Sequence, residues 1–261
     1  MFTSRSPLLI TLSVWKALLL REALTRFFAR RASWFWLLLE PLAHIAILSF
    51  IFAVIRQRTV GNMETVLWIV LGMIGFFTFR RTAQQSGGAI DSNRALLSYR
   101  QVKAVDTVFA RATLEGFTMI LVASIALFVI ALMGIAILPS NPLAVLFAVS
   151  GLWTFGVGLG LIVSALAALA PEARDILQMF MLPLYFVSGV IIPLSVVPLP
   201  YRSWLMYNPI AHGLEALRHA FSVYYHVVPE TSMLYLWLMA LCSLVLGLLL
   251  HRRFATRIVA Q

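Results

Sequence analysis

Charge is scarce in this sequence. Only 11% of its 261 residues are Asp, Glu, Lys or Arg, where an ordinary soluble domain carries about a quarter. With 61% of the chain hydrophobic, too little polar surface remains to cover a soluble globule, so lipid must replace water over much of the surface. Cysteine is nearly absent. Cys242 stands alone inside an apolar run, which excludes a disulfide framework and a paired thiolate metal site. Catalytic signatures are missing as well: the chain has no Walker glycine loop, no HExxH, no Cys/His set and no Gly-x-Ser-x-Gly, so it is expected to be no enzyme and to carry no cofactor or metal of its own. A cleavable leader is not expected, because the N-terminal stretch from Leu8 runs into Arg30 and Arg31 rather than a small-residue cleavage site.

Acidic residues are half as common as basic ones, giving a formal charge of +10. The basic residues do not form an aromatic-interleaved patch, so nucleic acid is not the expected partner. They sit between apolar runs, as topogenic charge does in a membrane protein.

A span of the bilayer needs about 20 apolar residues. Six segments qualify, making the expected fold an all-α polytopic membrane protein with six transmembrane helices. They are Trp34–Ile55, Val66–Phe79, Gly116–Leu138, Leu143–Ala170, Ile176–Pro200 and Thr231–Leu250. The second is short and must gain length by snorkelling Arg80 and Arg81 or by continuing as a helix into the polar stretch behind it. The fifth carries Pro183, Pro193, Pro198 and Pro200, and proline removes backbone donors, so its second half does not read as a simple span. Residues 190–221 read as one or two short re-entrant helices or as a loop lying on the membrane surface, since irregular backbone at membrane depth must be buried or line a wet cavity. Sixteen of the twenty Lys and Arg residues fall on one side of the six spans, with Arg56, Arg58, Arg202 and Arg218 opposite. Both termini are therefore expected in the cytoplasm.

Residues 8–31 are too charged to span and too apolar for a solvated tail. Glu22, Arg26 and Arg30 repeat on one helix face while Leu20, Leu24, Phe27 and Phe28 fall on the other, as in an amphipathic helix lying in the cytoplasmic leaflet boundary or a basic anchor fixing topology. Glu40 and His44, four apart in the first span, are ionisable groups at a costly depth. Their expected partners are each other, or Arg80 or Arg81. Gly151, Gly156, Gly158 and Gly160 read as close helix packing. His212, Glu215, Arg218 and His219 share a short helix, where pairing or exposure to water explains them better than a metal.

The stretch Asn93-Arg94-Ala95-Leu96-Leu97, with Tyr99, Val102-Lys103, Asp106, Arg111 and Leu114-Glu115, resembles the type-2 ABC transporter permeases, and within them the capsular polysaccharide exporters. Leu39-Glu40-Pro41-Leu42 with His44, Arg174-Asp175-Ile176, and Trp204 through Asn208-Pro209 agree, in order and placement, over essentially the whole chain. The resemblance implies a permease in a bacterial inner membrane that exports capsular polysaccharide, with O-antigen, teichoic acid or small drugs as the alternative cargo. It implies a homodimer with a channel at the subunit interface, a cytoplasmic ABC ATPase subunit holding ATP and Mg, a periplasmic co-polymerase and outer-membrane export components. Residues 83–104 match the family's cytoplasmic coupling segment, with Asp91, Asn93, Arg94, Tyr99, Arg100 and Lys103 as contacts, and Arg174 and Asp175 open the second such loop. A basic segment that merely enforces topology would look alike. A sugar polymer offers hydroxyls and flat apolar faces, so aromatic rings are the expected lining: Phe76, Phe77, Phe79, Trp153, Tyr185, Tyr201, Trp204 and Tyr207, each of which also fits an interfacial anchor or packing role. Acidic polymer would be eased outward by Arg202 and Arg218. A gradient-driven transporter would show internal inverted repeats, which are not evident.

Overall fold

The computed structural model describes residues 7–28, 32–55, 59–99 and 101–260. The chain opens with helices α1 (Pro7–Phe28) and α2 (Ser33–Ile55), followed by two-residue strands β1 (Thr59–Val60) and β2 (Met63–Glu64). These pair antiparallel across Gly61 and Asn62, both at positive φ, the backbone a tight two-residue hairpin requires. Next come α3 (Thr65–Gly87), the short α4 (Ala89–Ser92), a 3-10 turn at Arg94–Leu96, α5 (Ala104–Leu132), α6 (Pro142–Ala167) and α7 (Glu172–Val187). A second 3-10 turn (Leu194–Val196), α8 (Tyr201–Leu205), α9 (Pro209–Phe221), α10 (Met233–Arg253) and α11 (Ala255–Ala260) complete the order.

Among the described residues, five helices are long and apolar enough to cross a membrane: Trp34–Val54 within α2, then α3, α5, α6 and α10. The second expected span gains its length by the helical route. α3 continues past Arg80 and Arg81 to Gly87, for a total of 23 residues, about 34 Å at the helical rise. It is the axis of the bundle, packing against α2, α5, α6, α7 and α9. A helix apolar all round belongs inside, and Trp68, Met73, Phe76 and Phe79 are fully buried.

α5 begins twelve residues before the expected Gly116 because Asp106 accepts the Lys103 backbone N–H at 3.1 Å, starting the helix in polar sequence. α6 starts on an Asn141 cap with Pro142 in its first turn. The small residues of α6 serve two neighbours. At Gly156 a Cβ would meet the α3 carbonyl of Phe79 at 2.7 Å, and at Gly158 it would meet the α10 backbone N of Leu244 at 2.7 Å.

α7 has 16 residues, about 24 Å, short of the roughly 30 Å hydrocarbon thickness. It stops at Val187, well before Pro200, where Gly189 turns the chain at φ 75°. α9 then enters the bundle against α3, α6 and α10, with eleven of its thirteen residues buried. That burial makes α9 a packed helix of the bundle.

Candidate functional site

At the end of the bundle where α3 leaves and α7 begins, four chain segments meet through charge. Asp91 in α4 accepts from Arg94 Nη2 at 3.1 Å through one oxygen and from Arg174 through the other. The two connections assigned to coupling, the one after α3 and the one before α7, are thus joined by one carboxylate. Asn93 donates to the Ala89 carbonyl at 2.9 Å and accepts from Arg21 of α1 at 2.7 Å. Trp15 of α1 donates to Asp106 at 2.9 Å and stacks on Phe109. Arg94, Tyr99, Lys103 and Asp175 are exposed; Arg100 lies outside the described residues.

A second network lies one layer deeper. Glu115 of α5 is fully buried and accepts from Arg26 of α1 and from Arg81 of α3, the latter at 3.3 Å. Glu22 receives Arg26 at 3.0 Å and Arg111 at 2.7 Å, while Arg26 also donates to Gln85 at 2.9 Å. The face of α1 that carries Glu22 and Arg26 is therefore turned into the protein, and Leu12, Leu20 and Leu24 point outward. Arg30 and Arg31, expected on the same helix, lie outside the described residues. Glu40 pairs with Arg81 at 3.3 Å rather than with His44, whose ring packs edge-on against Phe77 at 5.4 Å and Tyr185 at 6.1 Å.

The expected pathway aromatics separate into two groups. Phe76, Phe77, Phe79 and Tyr185 form one cluster inside the chain, with ring centroids of Phe76 and Tyr185 5.0 Å apart, and all four are buried. Trp153 is partly buried and donates to the Ala112 carbonyl at 3.0 Å. Phe76, Phe77, Phe79 and Tyr185 pack against one another, while Trp153 lines an apolar cavity of about 460 Å³ between α5 and α6. Tyr201, Trp204 and Tyr207, at the other end of the bundle, are exposed, with Tyr201 edge-on to Trp204.

α9 is fastened by a buried ion pair. Arg218 reaches Glu215 at 3.2 Å, lies 3.7 Å over the Trp68 ring and donates to the carbonyls of Trp68 and Val190. Glu215 also accepts from the Tyr225 hydroxyl at 3.0 Å. Burial pushes the Tyr225 phenol up to about 12, so it remains a donor near neutrality. His212 accepts the Ser232 N–H on Nδ1 and donates Nε2 to the Met206 carbonyl, while His219 is exposed. Among the described residues no three such groups converge on a metal position. The expectation that Arg218 eases an acidic polymer outward is corrected, because it is sealed in the core, whereas Arg202 is partly exposed and pairs with Glu230 at 3.0 Å.

Sequence reasoning missed Glu22, Arg26, Gln85 and Glu115 as one cluster. The available signal was the i, i+4 spacing of Glu22 and Arg26 and the placement of Glu115 at the edge of an apolar run.

Residues 13–222 match the family described as ABC-2 type transporter. The chain is 35% identical to the polysialic acid transport protein KpsM of Escherichia coli, over 91% of this chain and 92% of that protein. It is 28% identical to the capsule polysaccharide export inner-membrane protein CtrC of Neisseria meningitidis serogroup A, over 97% and 96% respectively. With the capsule polysaccharide export inner-membrane protein BexB of Haemophilus influenzae it shares 28% identity over 99% and 97%.

Proposed function

The chain belongs to the ABC-2 type transporter family, and from that premise we propose that it is the permease of an ATP-driven exporter of capsular polysaccharide. The carrying observation for coupling is Asp91, which ties the α3–α5 connection to Arg174 at the start of α7. A push on either loop is thereby delivered to the bundle axis and to α7 together. The relatives' printed functions, capsule and polysialic acid export over nearly their whole length, support the cargo.

In this reading the protein is a multi-pass inner-membrane protein with both termini cytoplasmic. α7 with the segment behind it forms the sixth span, and residues 190–221 re-enter from the periplasmic side. The depth of α9 supports re-entry: Leu214 packs against Gly75, ten residues into α3 and so about 15 Å from its start. ATP and Mg are held by a cytoplasmic ATPase subunit seated on α4, Arg94, Tyr99, Arg100, Lys103 and Asp175. Two copies enclose the channel, and periplasmic co-polymerase and outer-membrane components receive the polymer. Exposed Tyr201, Trp204 and Tyr207 offer sliding contact where the sugar leaves.

The test is reversal of charge on the coupling surface. Arg94→Glu with Arg100→Glu abolishes export and copurification with the ATPase while membrane insertion persists; a fully active variant would sink the assignment.

A further inference from the structure

The inner end of α10 and the short α11 behind it carry two faces. His251, Phe254 and Ile258 fall at i, i+3 and i+7, one stripe of a helix; His251 and Ile258 are buried and Phe254 is partly so. Arg252, Arg253 and Arg257 stand exposed on the other side. Topogenic charge accounts for the arginines. It does not account for Ile258, which is only 2% exposed although it lies in a helix of six residues.

The stripe is held first by α6. A Cβ at Gly247 would meet the Leu161 Cβ at 2.5 Å, so the two helices approach closely. His251 donates Nε2–H to the Leu161 carbonyl at 3.2 Å, beside Ser164 Oγ at 3.0 Å. The helix is interrupted at Phe254 and resumes as α11, where the Ile258 N–H reaches the Phe254 carbonyl at 2.9 Å. α11 then lies against α5. There Ile258 joins a buried cluster that also holds Ile90 and Leu97 of the coupling segment, Val108 of α5 and Leu161 of α6. The same segment turns Arg94 and Tyr99 outward, so a push on its outer side is resisted by what lies beneath it.

On the premise that an ATPase subunit drives this chain through that segment, we propose that Ile258 is a positioning residue for coupling. α11 is the backstop that holds Ile90 and Leu97 in place, so that motion passes to α5, α6 and α10 together and is not absorbed by the loop. Apolar packing suits the role, because an interior at crystal-like density yields little under displacement. Asp91 carries the push sideways to α7; Ile258 carries it to the last span.

Ile258→Ala removes the backstop and leaves every charge in place. Backbone hydrogen exchange of the full chain in detergent is expected to rise about tenfold at residues 89–97 and to keep the wild-type rate in α9. In the complex with the ATPase subunit, copurification and ATP hydrolysis persist through Arg94 and Tyr99, while polymer at the cell surface falls about tenfold. Ile258→Val, which keeps most of the buried volume, restores export. Arg257→Ala, on the exposed side of α11, matches wild type in exchange and export. Should Ile258→Ala fail to fold, Ile258→Val against Ile258→Thr, alike in shape and unlike in polarity, carries the same comparison. Unchanged exchange at residues 89–97 overturns the proposal, and so does faster exchange that spreads over α9, the mark of a general loss of stability. Undiminished export in Ile258→Ala, export and hydrolysis falling in step, or an equal loss in Arg257→Ala also overturns it. Exchange requires neither ATPase nor polymer. A wild-type complex that exports nothing therefore defeats the export reading, and the exchange result alone then decides the role of Ile258.

Discussion

Glu115 holds Arg26 and Arg81 at once from a fully buried position, and so binds α1, α3 and α5 through one side chain. Removing a single partner from such a group leaves charge stranded in a low dielectric. Glu115→Ala is expected to cost about 3–5 kcal/mol, read as a lower thermal unfolding midpoint and as faster backbone hydrogen exchange in α1. Asp91 is different, because its partners are partly exposed and its pairing contributes little to stability. Its effect is expected in coupling instead. Asp91→Arg and Arg174→Asp should each lose most export with the fold intact, and the double exchange should restore it, as measured by polysaccharide at the cell surface. Failure of the exchange to recover export would remove the link between the two loops. The long-range pairs were not legible in the sequence: Arg26 and Glu115 are 89 residues apart, and only the tertiary fold makes them neighbours.

Among elements, α9 shows what was legible and what was not. The prolines of residues 183–200 and the break they impose pointed to irregular backbone, and one or two short helices were expected within residues 190–221. Its burial followed from nothing in the local pattern, because Glu215, Arg218 and His212 look like water-facing residues until Trp68, Tyr225 and Val190 supply partners to the first two and Met206 and Ser232 to the histidine. Arg218→Ala should destabilise by about 3–5 kcal/mol because it strands Glu215, whereas Glu215→Gln with Arg218→Met should recover most of that loss. Thermal unfolding of the two variants checks both signs. The length of α3 follows one of the two routes the sequence offered: Arg80-Arg81-Thr82 ends the apolar run, and the helix continues because Glu115, Glu40 and Gln84 meet those guanidiniums. In α1 the charged face was correctly read as one stripe, but sequence alone could not tell that this stripe faces protein and the leucines face outward.

At the scale of the whole molecule, burial is graded across the spans. α3 is buried almost throughout, while α2 shows only 11% of its apolar window buried, and Phe50 of α2 with Met179 and Leu182 of α7 stand exposed. Such surfaces suit lipid or a second copy, and the proposed homodimer would use them. Paired cysteines placed at Phe50 and Leu182 are expected to crosslink two copies in membranes; crosslinking absent at every position along α2 and α7 would count against that arrangement. The central claim is that this chain moves finished polymer and does not make it. Deleting this chain alone and measuring polysaccharide inside and outside the cell tests that most directly. The expected result is loss of surface polymer with full-length polymer accumulating in the cytoplasm, both reversed by restoring the chain. Surface polymer at the normal level, or a cell that contains no polymer at all, would contradict the account.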